Sequence, residues 1–187
     1  YISNEQLIEL KSKITSDPSL LGKLYKSKKS ADYKISVDHN LVSDYEKEGW
    51  TLDTVLKTKT KLTKEKTHSK KFEDAVWCQF YELGFRTLNI DETFELPFSK
   101  DPKDKKQIDV IAINDETAII IECKSSEKLK KAPSYKDEFD LLGLRLDGFT
   151  KVLKQLFNNT IRTKFIFATN NLRIDPESVD MQRFFST

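Results

Sequence analysis

Between residues 134 and 158, apolar side chains recur at spacings that alternate between four and three: Tyr135, Phe139, Leu142, Leu146, Phe149, Leu153 and Leu156. Such spacing draws one continuous stripe along an α-helix. Gly143 and Gly148 are placed to bend or divide it. Residues 70–83 repeat the pattern with Phe72, Val76, Phe80 and Leu83, and Gly84 is the stop signal. Residues 93–97, 107–114, 117–124 and 164–169 have the length and composition of strands. After the last of them, Asn170-Asn171 reads as a turn and Asp175-Pro176-Glu177 opens another helix. From residue 70 onward the predicted order is α-β-β-β-α-β-α.

The first part of the chain reads as mostly helical. Ser3 is placed as an N-cap, Gln6 as its capping-box partner, and Ile2 with Leu7 as a hydrophobic staple. Leu7, Leu10 and Ile14 follow at helical spacing. Asp17-Pro18 starts a second helix carrying Leu20, Leu21 and Leu24, and a third runs from Leu41 to Glu48, ending at Gly49. Residues 51–62 alternate and are rich in Thr and Val, which predicts a single strand. On it, Lys57, Lys59 and Lys61 would share one face.

Charge sharpens this division. The 187 residues carry a net charge of only +2, but residues 1–71 hold 15 Lys against 10 Asp and Glu. Lys57, Lys59, Lys61, Lys64, Lys66, Lys70 and Lys71 form a run interrupted by one acid, Glu65. Such a run is either solvated surface or a contact for nucleic acid. No apolar stretch has membrane-spanning length, the longest being the strand-sized Ala118–Ile121, so no membrane partner is expected. No signal peptide opens the chain. Cys78 and Cys123 show neither a disulfide framework nor a zinc spacing, and His39 and His68 stand apart. Both point to a reducing setting, a cytoplasmic location in a bacterial cell interior. The start at Tyr1 and the element-like end Met181–Phe185 suggest one domain of a longer protein.

The candidate chemistry lies in residues 107–124. With Asp115-Glu116 as a two-residue loop, Asn114 faces Thr117 and Asp109 falls opposite Glu122. Residues directly opposite on paired strands share a face, and Lys124, two residues beyond Glu122, shares it too. A bulge would break this relation. Two carboxylates so placed repel unless a cation lies between them. A hard divalent ion such as Mg²⁺ takes one or two carboxylates together with water and substrate phosphate. It would polarise a phosphodiester and lower the pKa of a bound water, while Lys124 orients that water or stabilises developing charge. The opposite face, Ile108, Val110 and Ala112 with Ile119, Ile121 and Cys123, is apolar and is expected to pack under helices.

Asp109 followed by Glu122-Cys123-Lys124 on the next strand resembles the active-site signature of the PD-(D/E)xK superfamily, the restriction-endonuclease-like fold. The preceding helix, Phe72-Glu73-Asp74-Ala75-Val76-Trp77 to Leu83-Gly84-Phe85, adds to the likeness, as does the element order of residues 70–175. The resemblance implies Asp109, Glu122 and Lys124 as catalytic residues. It implies Mg²⁺, with Mn²⁺ as a substitute, held by Asp109, Glu122 and Glu73. Glu73 also fits a plain helix-dipole partner near the helix start. Ile108 stands where the family has Pro. No match to the Gln-containing helix motif of some members is found, and Gln155 reads as a solvent-facing helix residue.

The resulting expectation is an α/β, restriction-endonuclease-like core with a mixed central sheet over residues 67–187, preceded by a helical, Lys-rich extension over residues 1–66. The expected activity is metal-dependent phosphodiester hydrolysis on DNA, with RNA as the alternative, in a restriction or defence setting by analogy of fold. Lys57, Lys59, Lys61, Lys70 and Lys71 are the candidate nucleic-acid contacts. Two rival readings are a non-catalytic nucleic-acid-binding module and an interaction domain using the 134–158 seam. A homodimer or further domains of the same chain are the expected protein partners.

Overall fold

Two adjacent runs of apolar residues with no polar alternation force a strand pair that is buried on both faces. These are β8 (Val110–Ile113) and β9 (Thr117–Lys131), the centre of the molecule. The structure, a computed structural model, describes residues 1–173. The other elements in chain order are α1 (Asn4–Ser12), β1 (Ile14–Thr15), α2 (Pro18–Lys29), β2 (Asp32–Val37), α3 (Val42–Lys47), β3 (Thr51–Val55), β4 (Thr60–Glu65), α4 (His68–Glu82), β5 (Thr87–Asn89), β6 (Glu95–Pro97), β7 (Lys105–Gln107), α5 (Lys136–Leu156) and β10 (Arg162–Arg173).

The central sheet has the order β1-β5-β8-β9-β10. Its first three pairings are antiparallel and β9–β10 is parallel, because α5 carries the chain back across one face. The fold is therefore α/β with a mixed central sheet flanked by helices. Ile111, Ile113, Ala118 and Ile120 pack with Phe149, Val152 and Leu153 of α5. Val110, Ala112, Ile119 and Ile121 pack with Trp77 and Phe80 of α4 and Leu21 of α2. Among the described residues, no helix is long and apolar enough to cross a membrane.

Local signals account for the helix ends. Ser3 and Gln6 form the reciprocal capping box, Asp17 caps α2 ahead of Pro18, and Thr67 caps α4. Gly84 follows α4 at φ 93°, a left-handed conformation that favours glycine. α5 is one unbroken helix. Gly148 does not bend it. It lets α5 approach the loop after β6, where an added Cβ would lie 1.9 Å from the Phe98 carbonyl oxygen. Leu146, placed on the buried stripe by its spacing, is exposed.

Several expectations need correction. Residues 51–62 form two strands and a turn, closed by the Leu56 amide donating to the Lys59 carbonyl. With β2 they make a separate three-stranded sheet of order β2-β4-β3. Residues 1–66 are thus not simply helical. Nor do their first elements stand apart from residues 67–173: Leu10 of α1 and Leu21 of α2 belong to the two cores, and β1 extends the central sheet. Residues 107–114 are not one strand, because the chain breaks between β7 and β8 at Ile108-Asp109. That break turns Ile108 to the α5 side, away from Val110 and Ala112. β5 and β7 were not expected, and β9 and β10 run longer than predicted. The helix expected at Asp175-Pro176-Glu177 lies outside the described residues.

Candidate active site

The hairpin register places the carboxylates. Val110 pairs with Ile121 and Ile113 with Ala118. The Asn114 amide donates to the Thr117 carbonyl at 3.0 Å. At the open end the pairing stops with Val110 and Ile121, so Asp109 lies in the break one residue before β8 and Glu122 lies on β9 one residue past the last pair. Asn114 also closes the loop, its Oδ1 accepting from the Glu116 and Thr117 amides. Asp109 stands just before β8, and its Oδ2 accepts the Cys123 amide at 2.7 Å.

Glu122 is almost fully buried and meets two ammonium groups. Lys124 Nζ lies 3.2 Å from its Oε1, and Lys106 Nζ lies 2.7 Å from its Oε2. Lys124 also reaches Glu138 of α5 at 3.5 Å. Burial alone would lower the pKa of Lys124, but Glu122 and Glu138 outweigh it, so the pKa is raised. Lys124 is therefore a standing positive charge at neutral pH and not a proton acceptor. Lys106 was not singled out from the sequence. It lies in a Lys-rich loop-like stretch, and only the β6–β7 pairing, with Leu96 opposite Lys106, brings it to Glu122.

Asp109 shows the complementary electrostatics. Burial raises its pKa and the charge of Glu122 adds to the effect, against the Cys123 amide, Lys106 and Lys124. Burial likewise raises the pKa of Glu73, and the charge of Asp109 contributes. Glu73 lies in the second turn of α4, since the helix begins at His68, so the dipole reading of this residue does not hold. Its nearest cation is Lys70, at 3.5 Å. Burial is thus the larger cause at both Asp109 and Glu73, with the charge of Glu122 adding at Asp109 and that of Asp109 adding at Glu73. Among the described residues, no three His, Cys, Asp or Glu side chains stand close enough together to hold a metal ion. The three-carboxylate ligand set Asp109, Glu122 and Glu73 is therefore not assembled.

Asn89 is the second residue that the sequence did not reveal. It is fully buried and stands where β5 stops pairing with β8. Its Nδ2 donates to the Asp109 carbonyl at 3.1 Å, and its Oδ1 accepts the Ile111 amide at 3.2 Å. Its own carbonyl accepts from Trp77 Nε1 at 2.9 Å. One side chain thus completes the backbone hydrogen bonds at the strand break that carries Asp109. An Asn between Leu88 and Ile90 gives only a strand-end signal in sequence.

The basic run is divided by the fold. Lys57 and Lys59 lie in the β3–β4 turn and Lys61 on β4, all exposed, so they do not share one strand face. Lys70 points inward and contacts Glu92 at 2.9 Å, Glu73 at 3.5 Å and Asp74 at 3.7 Å. Lys71 pairs with Glu65 at 2.7 Å. Lys66 is buried and reaches Asp74 at 2.8 Å and the Ser27 carbonyl at 3.0 Å. Lys70 is thereby removed from the expected nucleic-acid surface. Gln155 is exposed, as expected of a solvent-facing helix residue, and it also accepts from the Ile2 amide and donates to the Ile2 carbonyl, both at 2.9 Å. Burial raises the pKa of Cys123, and its neighbour charges Asp109 and Glu73 raise it further, so it is no thiolate nucleophile.

No family model, curated protein or solved structure matches the chain.

Proposed function

We propose that this chain is a metal-dependent nuclease of the PD-(D/E)xK type, with a restriction-endonuclease-like core, that hydrolyses phosphodiester bonds in DNA. The observation that carries this reading is one hairpin end: Asp109 just before β8, accepting the Cys123 amide, and Glu122 on β9, with the Lys124 ammonium 3.2 Å from Glu122. Burial, and after it the charge of Glu122, raise the pKa of Asp109, and a cation bound beside it would favour its charged form. Mg²⁺ or Mn²⁺ bound there supplies Lewis acidity and a water of lowered pKa. Asp109, at the entry to β8, and Glu122, on β9, would hold it. Lys124, kept charged by Glu122 and Glu138, sets its ammonium against the negative charge that builds on the phosphorus oxygens during attack. Cys78 and Cys123 are free thiols, in keeping with a reducing cell interior.

One observation favours a second reading, a non-catalytic nucleic-acid-binding module. Both Glu122 oxygens already face lysines, and among the described residues no three-ligand cluster forms. Titration with Mn²⁺ separates the two. The nuclease requires saturable binding that Asp109→Asn removes, together with DNA nicking that a chelator abolishes. DNA binding with neither of these establishes the module.

A further inference from the structure

β9 continues past the site it helps to build. Its pairing with β8 ends at Ile121, and beyond Ser125 only β10 accompanies it. The register shifts there: Ser125 pairs with Asn170, but Lys130 pairs with Leu172. Asn171 takes φ 55° at this shift and donates to the Ser126 carbonyl at 3.0 Å. Such a bulge re-aims the strand that carries it. From Glu127 to Lys131 the strand is exposed, and Leu129 is 73% exposed. Residues 127–131 hold Lys128, Lys130 and Lys131 against a single acid, Glu127.

The lysines around the candidate site are neutralised. Lys106 and Lys124 face Glu122, Lys66 faces Asp74 and Lys70 faces Glu92. Lys128 and Lys130, by contrast, enter no ion pair among the described residues. They lie four and six residues beyond Lys124, on the order of 13 to 20 Å for extended backbone. We infer that the exposed β9–β10 ribbon is the surface that grips the DNA backbone and leads the strand to Asp109, Glu122 and Lys124. Uncompensated positive charge meets a polyanion there, and a two-stranded ribbon has the width that the major groove admits. This inference rests on the nuclease reading and names where its substrate binds.

The test is DNA binding followed by fluorescence anisotropy in chelator, so that nothing is cut, at several salt concentrations. A labelled duplex is titrated with the parent, with Lys128→Glu/Lys130→Glu, and with Lys23→Glu/Lys26→Glu, which makes the same charge change on the exposed side of α2. Lys128→Gln/Lys130→Gln serves as a milder pair. The ribbon variants are expected to bind at least tenfold more weakly. The slope of log K against log salt should flatten by about two, roughly one for each lost phosphate contact. The α2 variant should stay near the parent. A ribbon variant indistinguishable from the parent, or from the α2 variant, overturns the inference while leaving the nuclease reading intact if the parent still nicks DNA. A parent that neither binds nor nicks DNA overturns both.

Discussion

Lys106 Nζ lies 2.7 Å from Glu122 Oε2, closer than Lys124 lies to the other oxygen of the same carboxylate. A divalent ion that takes Glu122 as ligand would be repelled by both ammonium groups and would shift the more loosely held one. Lys124 is also held by Glu138 of α5, whereas the other partner of Lys106 is its neighbour's carbonyl, that of Gln107. Lys106 is the one that yields.

Lys106→Met should therefore tighten Mn²⁺ binding. A hydrogen bond to a charged group contributes about 1.5–3 kcal/mol, and 1.4 kcal/mol is tenfold in affinity. The expected gain in calorimetric titration is on the order of tenfold. Affinity that is unchanged or weaker would mean that Lys106 does not occupy the ion's place.

Lys124→Ala and Asp109→Asn should separate catalysis from ion binding. Removing one donor to the transition state costs on the order of a hundredfold or more in rate. Lys124→Ala should lose that much nicking activity and keep Mn²⁺ affinity, while Asp109→Asn should lose both. Glu73→Gln should change Mn²⁺ affinity far less than Asp109→Asn, because Glu73 forms no three-carboxylate cluster with Asp109 and Glu122. Lys124→Ala nicking at the parental rate would remove Lys124 from the mechanism.

The register of the β8–β9 hairpin was legible because a two-residue loop between two continuous apolar runs leaves little choice. α5 was legible from its spacing. Three features were not. A period-two pattern over residues 51–62 does not say whether the strand folds back, and the Leu56–Lys59 turn lacks the Gly or Asn that would have marked it. The break at Ile108-Asp109 depends on Asn89, which replaces missing backbone partners from a strand distant in sequence. The pairing of Lys106 with Glu122 likewise depends on a tertiary contact. A run of lysines looks uniform in sequence, yet the fold buries Lys66, turns the half-buried Lys70 toward acids and leaves Lys57, Lys59 and Lys61 exposed.

Asp74 should govern stability in acid. Burial disfavours its carboxylate, but Lys66 at 2.8 Å and Lys28 at 2.9 Å more than offset this, so its pKa is lowered. A carboxylate with a depressed folded-state pKa contributes stability that is fully present above its unfolded pKa of about 3.9. That contribution is lost as pH falls through the folded value. Asp74→Asn leaves Lys66 buried without a counter-charge and should cost about 3–5 kcal/mol at neutral pH. Denaturant melts from pH 7 downward should show the gap between parent and variant closing below about pH 4. A gap that persists unchanged at pH 2 would contradict an ionic role.

Asn89→Ala should damage the site beyond its effect on stability. The Asp109 carbonyl and the Ile111 amide would lose their partner inside the protein, and each unsatisfied buried group costs about 1–3 kcal/mol. The chain at Asp109 would then relax, because β5 supplies no backbone partner at that step. Leu88→Ala is the fitting comparison. Leu88 is the fully buried neighbour of Asn89, it packs among the α4-side apolar residues, and its truncation costs a similar 2–5 kcal/mol without touching Asp109. Measured well below both melting temperatures, Asn89→Ala should bind Mn²⁺ several-fold more weakly and nick more slowly. Leu88→Ala should retain parental affinity. Equal Mn²⁺ affinity in the two variants would show that Asn89 supports the fold alone and does not position Asp109.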